Sequence, residues 1–276
     1  MLDWFIHRVL KIPLTMRVRY DHCAVENPEL TIVFIHGLAA SFAAWKNTIP
    51  ELSKDRDLSK VRFIAFDLIG FGKSEKPKWF DYDYAAYRKT ITRTLKKLKI
   101  NTPLIICGHS MGCLIAMDYA ANGDLLVDQL VLISPPIIRA KEVAGVQDQV
   151  YSRLYTGLKN HTGAKPIGVL AGLVDSMSSF EKRSLDTQAF RETMDKIILN
   201  KDNYALACDL KIPMEVIHGR LDPLVIGANL KSIAKNNKRF RLTETFGGHD
   251  IVGAKATKSN KILKETLIHY LLHVDL

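Results

Sequence analysis

The sequence predicts an α/β protein: a mostly parallel, doubly wound sheet of about seven or eight strands, with a small helical subdomain inserted into it. Three observations predict this. Short apolar runs such as Ile32-Val33-Phe34-Ile35 and Leu130-Val131-Leu132-Ile133 lack polar alternation, as strands do when both faces of a parallel sheet are covered. Stretches of helical periodicity fill the gaps between such runs. The alternation then stops after Ser134-Pro135-Pro136 and resumes at Lys211-Ile212-Pro213, an excursion too long for a simple strand-to-helix connection.

The elements follow in order. Over residues 1–14, Leu2, Phe5, Ile6, Val9 and Leu10 fall on one helical stripe. The stripe suits a short helix packed on the core or on a neighbouring subunit, or one in weak contact with a membrane surface. Asp3, His7, Arg8 and Lys11 interrupt it, so it reads as neither a signal peptide nor a membrane span. Candidate strands lie at residues 16–20, 31–36, 62–67, 104–108, 129–134, 214–218 and 239–244. Tyr84, Tyr87, Ile91, Leu95 and Leu98 form a helical stripe opposite Arg88, Lys89, Arg93, Lys96, Lys97 and Lys99, and Asp81 or Asp83 can cap that helix. Residues 111–121 read as a compact apolar helix, and residues 228–235 and 255–272 as surface helices. The domain reading is a core of residues 1–134 and 208–276, with 135–207 as a helical cap. Within the cap, the apolar run 167–174 and Met177 suit either the lining of an acyl pocket or the cap's own core.

Apolar residues at 47% and charged residues at 25% exclude disordered, collagen-like and coiled-coil classes. Lys and Arg number 39 against 29 Asp and Glu, a net charge of +10. That excess raises nucleic acid or anionic membrane as partners. No basic run is interleaved with aromatics, however, and the cations fall on polar faces: Arg88 to Lys99 on one helix, then Lys231, Lys235, Lys238, Arg239, Arg241, Lys255, Lys258, Lys261 and Lys264 towards the C-terminus. Nucleic acid is not expected, and the charge reads as a solvated surface that can attract acidic lipid weakly. Cys23, Cys107, Cys113 and Cys208 do not form a disulfide framework in a chain of this length, and no Cys/His spacing indicates zinc. Reduced thiols in a cytoplasmic protein are the expectation.

The chemistry is expected where strands end. Gly108-His109-Ser110-Met111-Gly112 joins an apolar strand to an apolar helix, a turn that presents Ser110 at the sheet's carboxyl edge as a nucleophile. Of nine histidines, His249 sits just past the last strand, behind Gly247 and Gly248. In folds of this kind the chain order is serine, acid, histidine. Asp222, in the loop after residues 214–218, fits the acid; Asp250 is too close to His249 in sequence, and Asp202 and Asp209 lie in or beside the excursion. The backbone N–H groups of Met111 and Leu38 are the expected oxyanion donors, each worth about 3 kcal/mol of barrier. Gly37 and His109 are read as substrate-binding. The chemistry requires neither a metal nor an organic cofactor.

Five segments run in family order: His36-Gly37, the stretch from Asp67 to Ser74, Gly108 to Gly112, Gly219 to Asp222, and Gly248-His249. On these the sequence resembles the α/β-hydrolase superfamily, in its small-cap serine esterase/lipase-like branch. The resemblance implies the α/β-hydrolase fold, an acyl-enzyme mechanism, a substrate pocket between core and cap, and a structural role for residues 67–74. Two features depart from the family. The N-terminal segment looks helical where members often open with a β-hairpin, so a first strand is in doubt. Cys113 stands where many members have a second glycine, which weakens the match to C–C hydrolases. The expected activity is carboxylic ester hydrolysis, of small or medium acyl esters. The alternatives are monoacylglycerol lipase-like or thioesterase activity, a non-ester activity such as C–C hydrolase, lyase or perhydrolase, or a catalytically silent scaffold.

Overall fold

The computed structural model of the protein describes residues 5–9, 14–139, 186–199, 202–252 and 256–273. Seven strands form one sheet: β1 (Arg17–His22), β2 (Leu30–Ile35), β3 (Val61–Asp67), β4 (Leu104–His109), β5 (Gln129–Ile133), β6 (Met214–Gly219) and β7 (Phe240–Thr245). Their order is β1-β3-β2-β4-β5-β6-β7. Only β1 is antiparallel, pairing with β3 across an irregularity between Val18 and Tyr20. The other five pairings are parallel.

Side-chain alternation explains the apolar runs. Successive residues of a strand point to opposite faces. In β2, Val33 and Ile35 join Ile64, Phe66, Ile106 and Leu132 on one face. Ile32 and Phe34 join Phe63, Ile105, Val131 and Ile133 on the other. Both faces are covered, so no position along β2 or β4 is left for a polar surface residue, and all twelve are buried.

The first face carries α2 (Tyr84–Lys97), α3 (Met111–Asn122), α5 (Asn203–Asp209) and α6 (Gly227–Asn236). The second carries α1 (Thr48–Ser53) and α7 (Thr257–His273), whose Leu263 and Leu267 are buried there. Asp83, not Asp81, caps α2: its side chain accepts from the Ala86 N–H at 2.8 Å. An unsatisfied N–H in the first turn makes such a cap worth about 1 kcal/mol. Strand ends fall within two residues of the sequence expectation.

Residues 140–185, with the apolar run and Met177, lie outside the described residues. The part of the excursion that follows is α4 (Thr187–Thr193), a π-helical turn (Met194–Ile198) and α5. Ala189, Phe190, Met194, Ile197 and Ala207 share the first face's core with α2 and α3. The Tyr84 hydroxyl ties them down, 2.8 Å from the Ile197 carbonyl and 2.9 Å from Asn203 Oδ1. Near the N-terminus, residues Phe5–Val9 form a π-helical turn, with Phe5 and Val9 about half exposed. These two members of the apolar stripe are therefore not buried against the described core; Leu2 and Leu10 lie outside the described residues. No helix among the described residues is long and apolar enough to cross a membrane.

Candidate active site

Ser110 stands between β4 and α3 with φ +52° and ψ −122°. That left-handed conformation is rare for a residue with a Cβ. Two glycines make the turn possible. A Cβ at Gly112 would lie 2.4 Å from the Ile35 carbonyl oxygen, and one at Gly108 would lie 2.6 Å from the Gly112 backbone. With neither present, α3 packs close against the ends of β2 and β4. The Ser110 N–H donates to the Ile133 carbonyl at 2.9 Å, and the Cys113 N–H to the Ser110 carbonyl at 2.9 Å, so the strained turn is held on both sides.

Three residues distant in sequence meet at this edge. His249 Nε2 is 2.8 Å from Ser110 Oγ, and His249 Nδ1 is 2.8 Å from Asp222 Oδ2. All three are buried. The other Asp222 oxygen accepts from the Leu224 N–H at 2.9 Å. Burial alone would raise the Asp222 pKa. The hydrogen bond and charge of His249 and the Leu224 amide outweigh it and hold the carboxyl below its ordinary value. An ionised Asp222 only accepts, so Nδ1 carries the imidazole proton and the Nε2 lone pair faces the Ser110 hydroxyl. The loops bearing Asp222 and His249 are laced by two backbone bonds: Arg220 N–H to the Thr245 carbonyl and Leu221 N–H to the Gly247 carbonyl, each 2.9 Å.

His109 differs from the expectation. It was expected to bind substrate, but it is 1% exposed and turned inward. Its Nε2 lies 3.1 Å from the His249 carbonyl oxygen, an acceptor only, so Nε2 carries the proton. Its ring stands edge-on to Trp45. Alternation along β4 points it away from the face that Ser110 presents. Burial, then the neighbouring His249 imidazole, push its pKa down to about 4. The buried ring therefore holds the backbone of His249. His269 and His273 lie exposed on α7.

Gly37 lies against Ser110: a Cβ there would be 3.1 Å from the Ser110 Cβ. The chain turns back at once. The Ala40 N–H donates to the Gly37 carbonyl at 3.3 Å, and Ala39 takes φ +56°. Within this turn no hydrogen bond runs from the Leu38 N–H to any described residue. Met111 opens α3, where an N–H has no intrahelical acceptor. Beneath the turn, the fully buried His36 accepts from the Leu68 N–H on Nε2 at 3.0 Å, and its Nδ1 lies 2.8 Å from the Gly37 carbonyl oxygen. The sequence marked His36 only as half of a motif; its partner Leu68 is 32 residues away and appears beside it only in the folded sheet. Asp67 accepts from the Phe42 N–H at 2.7 Å, the Lys73 N–H at 2.8 Å and Arg19 at 3.1 Å, which folds residues 67–74 against the sheet edge. No group of three His, Cys, Asp or Glu side chains among the described residues could hold a metal ion.

Residues 31–196 match a protein-family model described as an alpha/beta hydrolase fold, more than half of the 276-residue chain. The chain belongs to the α/β-hydrolase family. Among curated relatives of this α/β-hydrolase are two Arabidopsis thaliana proteins. "Probable lysophospholipase BODYGUARD 4" is 32% identical over 127 residues, 46% of this chain and 30% of the relative. "Probable lysophospholipase BODYGUARD 2" is 35% identical over 121 residues, 44% of this chain and 25% of the relative. The match thus spans less than a third of either relative's length. Solved structures extend the likeness over nearly the whole α/β-hydrolase. The crystal structure of E-2-(acetamidomethylene)succinate hydrolase aligns with TM-score 0.68 at 20% identity, over 90% of this chain and 93% of that one. The esterase EaEST of Exiguobacterium antarcticum aligns with TM-score 0.63 at 22% identity, over 92% and 94%. At that identity the likeness is one of fold.

Proposed function

We propose that this α/β-hydrolase cleaves carboxylic esters through an acyl-enzyme, with Ser110 as nucleophile, His249 as general base and Asp222 as the acid that orients it. The observation that carries the reading is the unbroken chain from Ser110 Oγ to His249 to Asp222, two contacts of 2.8 Å with all three side chains buried. The Nε2 lone pair takes the Ser110 proton as Oγ attacks the acyl carbonyl. Asp222, kept ionised by the same contacts that lower its pKa, stabilises the imidazolium that forms. The free amides of Leu38 and Met111 receive the developing oxyanion. His249 then protonates the leaving alcohol, and a water that it activates releases the acid and restores Ser110.

The curated relatives carry the name of probable lysophospholipases, which supports a long acyl ester over a short one, and so a lipid-like substrate against the small or medium acyl esters first expected. The test is labelling with a fluorophosphonate probe, then hydrolysis of p-nitrophenyl esters from acetate to palmitate and of a lysophosphatidylcholine. We expect Ser110→Ala to fold, to lose the label and to lose turnover of every ester. A Ser110→Ala variant that still turns over at the wild-type rate sinks the proposal.

A further inference from the structure

We infer that His36 is a positioning residue for oxyanion binding: it fixes the direction of the Leu38 N–H through the peptide that joins Gly37 to Leu38. The inference rests on the ester-hydrolase reading, because it concerns the donor that reading assigns to Leu38.

The argument begins with which nitrogen bears the proton. His36 Nε2 accepts from the Leu68 N–H at 3.0 Å, so Nε2 holds a lone pair. Nδ1 faces the Gly37 carbonyl oxygen at 2.8 Å; that oxygen only accepts, so Nδ1 holds the hydrogen. Both contacts are met by one species, the neutral Nδ1–H imidazole. The cation would turn a second N–H against the Leu68 amide, and the other tautomer would fail at both ends. Complete burial of the ring makes either failure costly, since water cannot replace the lost bond.

The consequence passes to Leu38 through covalent geometry. The Gly37–Leu38 peptide is planar and trans, so the Gly37 C=O and the Leu38 N–H point in opposite directions. His36 holds the C=O on one side, with help from the Ala40 N–H at 3.3 Å. The Leu38 N–H is thereby turned to the opposite side of that peptide. Gly37 itself stands close against Ser110: a Cβ there would lie a tight 3.1 Å from the Ser110 Cβ. The amide so directed has no acceptor among the described residues. The turn also carries a strained residue, Ala39 at φ +56°, so without the imidazole the Gly37–Leu38 peptide has reason to flip. Leu68 opens the loop that Asp67 anchors on Phe42 and Lys73, which gives the ring a firm seat.

The test compares His36→Ala and His36→Asn with wild type. Asparagine can keep an N–H donor near the place of Nδ1, while alanine keeps none. With an ester that wild type hydrolyses, we expect His36→Ala to lower kcat about 10- to 100-fold, less than the ~10²–10³ for deleting a donor outright, with KM changed less than about threefold. The rate of phosphonylation of Ser110 should fall in parallel, and His36→Asn should recover most of both losses. Thermal unfolding of each variant checks the fold. If wild type neither hydrolyses esters nor takes the label, the ester-hydrolase reading fails. If wild type is active and folded His36→Ala keeps its kcat, or if His36→Asn is as slow as His36→Ala, then His36 does not position the donor. Should His36→Ala fail to fold, His36→Asn decides alone: a kcat close to wild type supports the role, and a kcat as low as that expected for alanine overturns it.

Discussion

Replacing Ser110, which stands just before the first turn of α3, by glycine should leave a more stable protein than replacing it by alanine, in the usual order at the start of a helix. Both changes remove Oγ and its 2.8 Å contact with His249, so that loss cancels in the comparison. They differ in the Cβ. Alanine keeps one at φ +52°, ψ −122°, a conformation that costs a non-glycine residue about 1–3 kcal/mol. Glycine escapes that strain but loses about 0.5–1 kcal/mol more to backbone entropy. The balance favours glycine by about 1 kcal/mol at mid-range, within extremes of about 0 and 2.5 kcal/mol. Urea unfolding of the two variants at equal m-value measures it as a difference in midpoint. An alanine variant as stable as the glycine variant, or more so, would refute the claim that the turn stores strain at Ser110. Both variants should be inactive, so the strain is a cost the fold bears to present the hydroxyl.

Two further outcomes follow from burial. His109 has its folded pKa pushed down to about 4 by burial and by His249, against about 6.5 unfolded. Between those values the unfolded chain binds more protons than the native one, so this stability is present above pH 6.5 and is lost as pH falls towards 4, by about 3 kcal/mol. Urea unfolding at pH 7 and pH 4 should show that loss in wild type and a loss smaller by about that amount in His109→Gln; equal losses exclude His109 as the source. Cys107 and Cys113 are fully buried with raised pKa values, burial being the main cause in each, whereas Cys23 and Cys208 are partly exposed. A thiol reagent should therefore modify Cys23 and Cys208 in the native protein, and Cys107 and Cys113 only after denaturation. Rapid native labelling of Cys113 would contradict the packing of α3 on β4.

Much of this was legible because local sequence carried it. The runs at Ile32 to Ile35 and Leu130 to Ile133 announced strands covered on both faces, since alternation puts each residue into one core or the other. The glycines around Ser110 announced the sharp turn. The assignment of Ser110, Asp222 and His249 used the chain order common to folds of this kind, applied to loops that follow strands of the sheet. Other features were not legible. Asp81 and Asp83 are equivalent candidates for a cap by spacing, and only the backbone path selects Asp83. His109 was read as substrate-binding, but strand alternation turns its ring to the His249 carbonyl.

The sequence by itself determined the strands, the turn at Ser110 and the candidates for acid and base, because each depends on the spacing of apolar residues and glycines within a short stretch. Only the tertiary structure decided which hydrogen bonds those groups make. His249 reaches Ser110 across 139 positions of chain, and His36 reaches Leu68 across 32. Each imidazole takes its tautomer from partners brought to it by sheet register and by the loops at the sheet edge. A proton's place on a buried ring is fixed by what surrounds the ring, and those surroundings exist only once the sheet has formed.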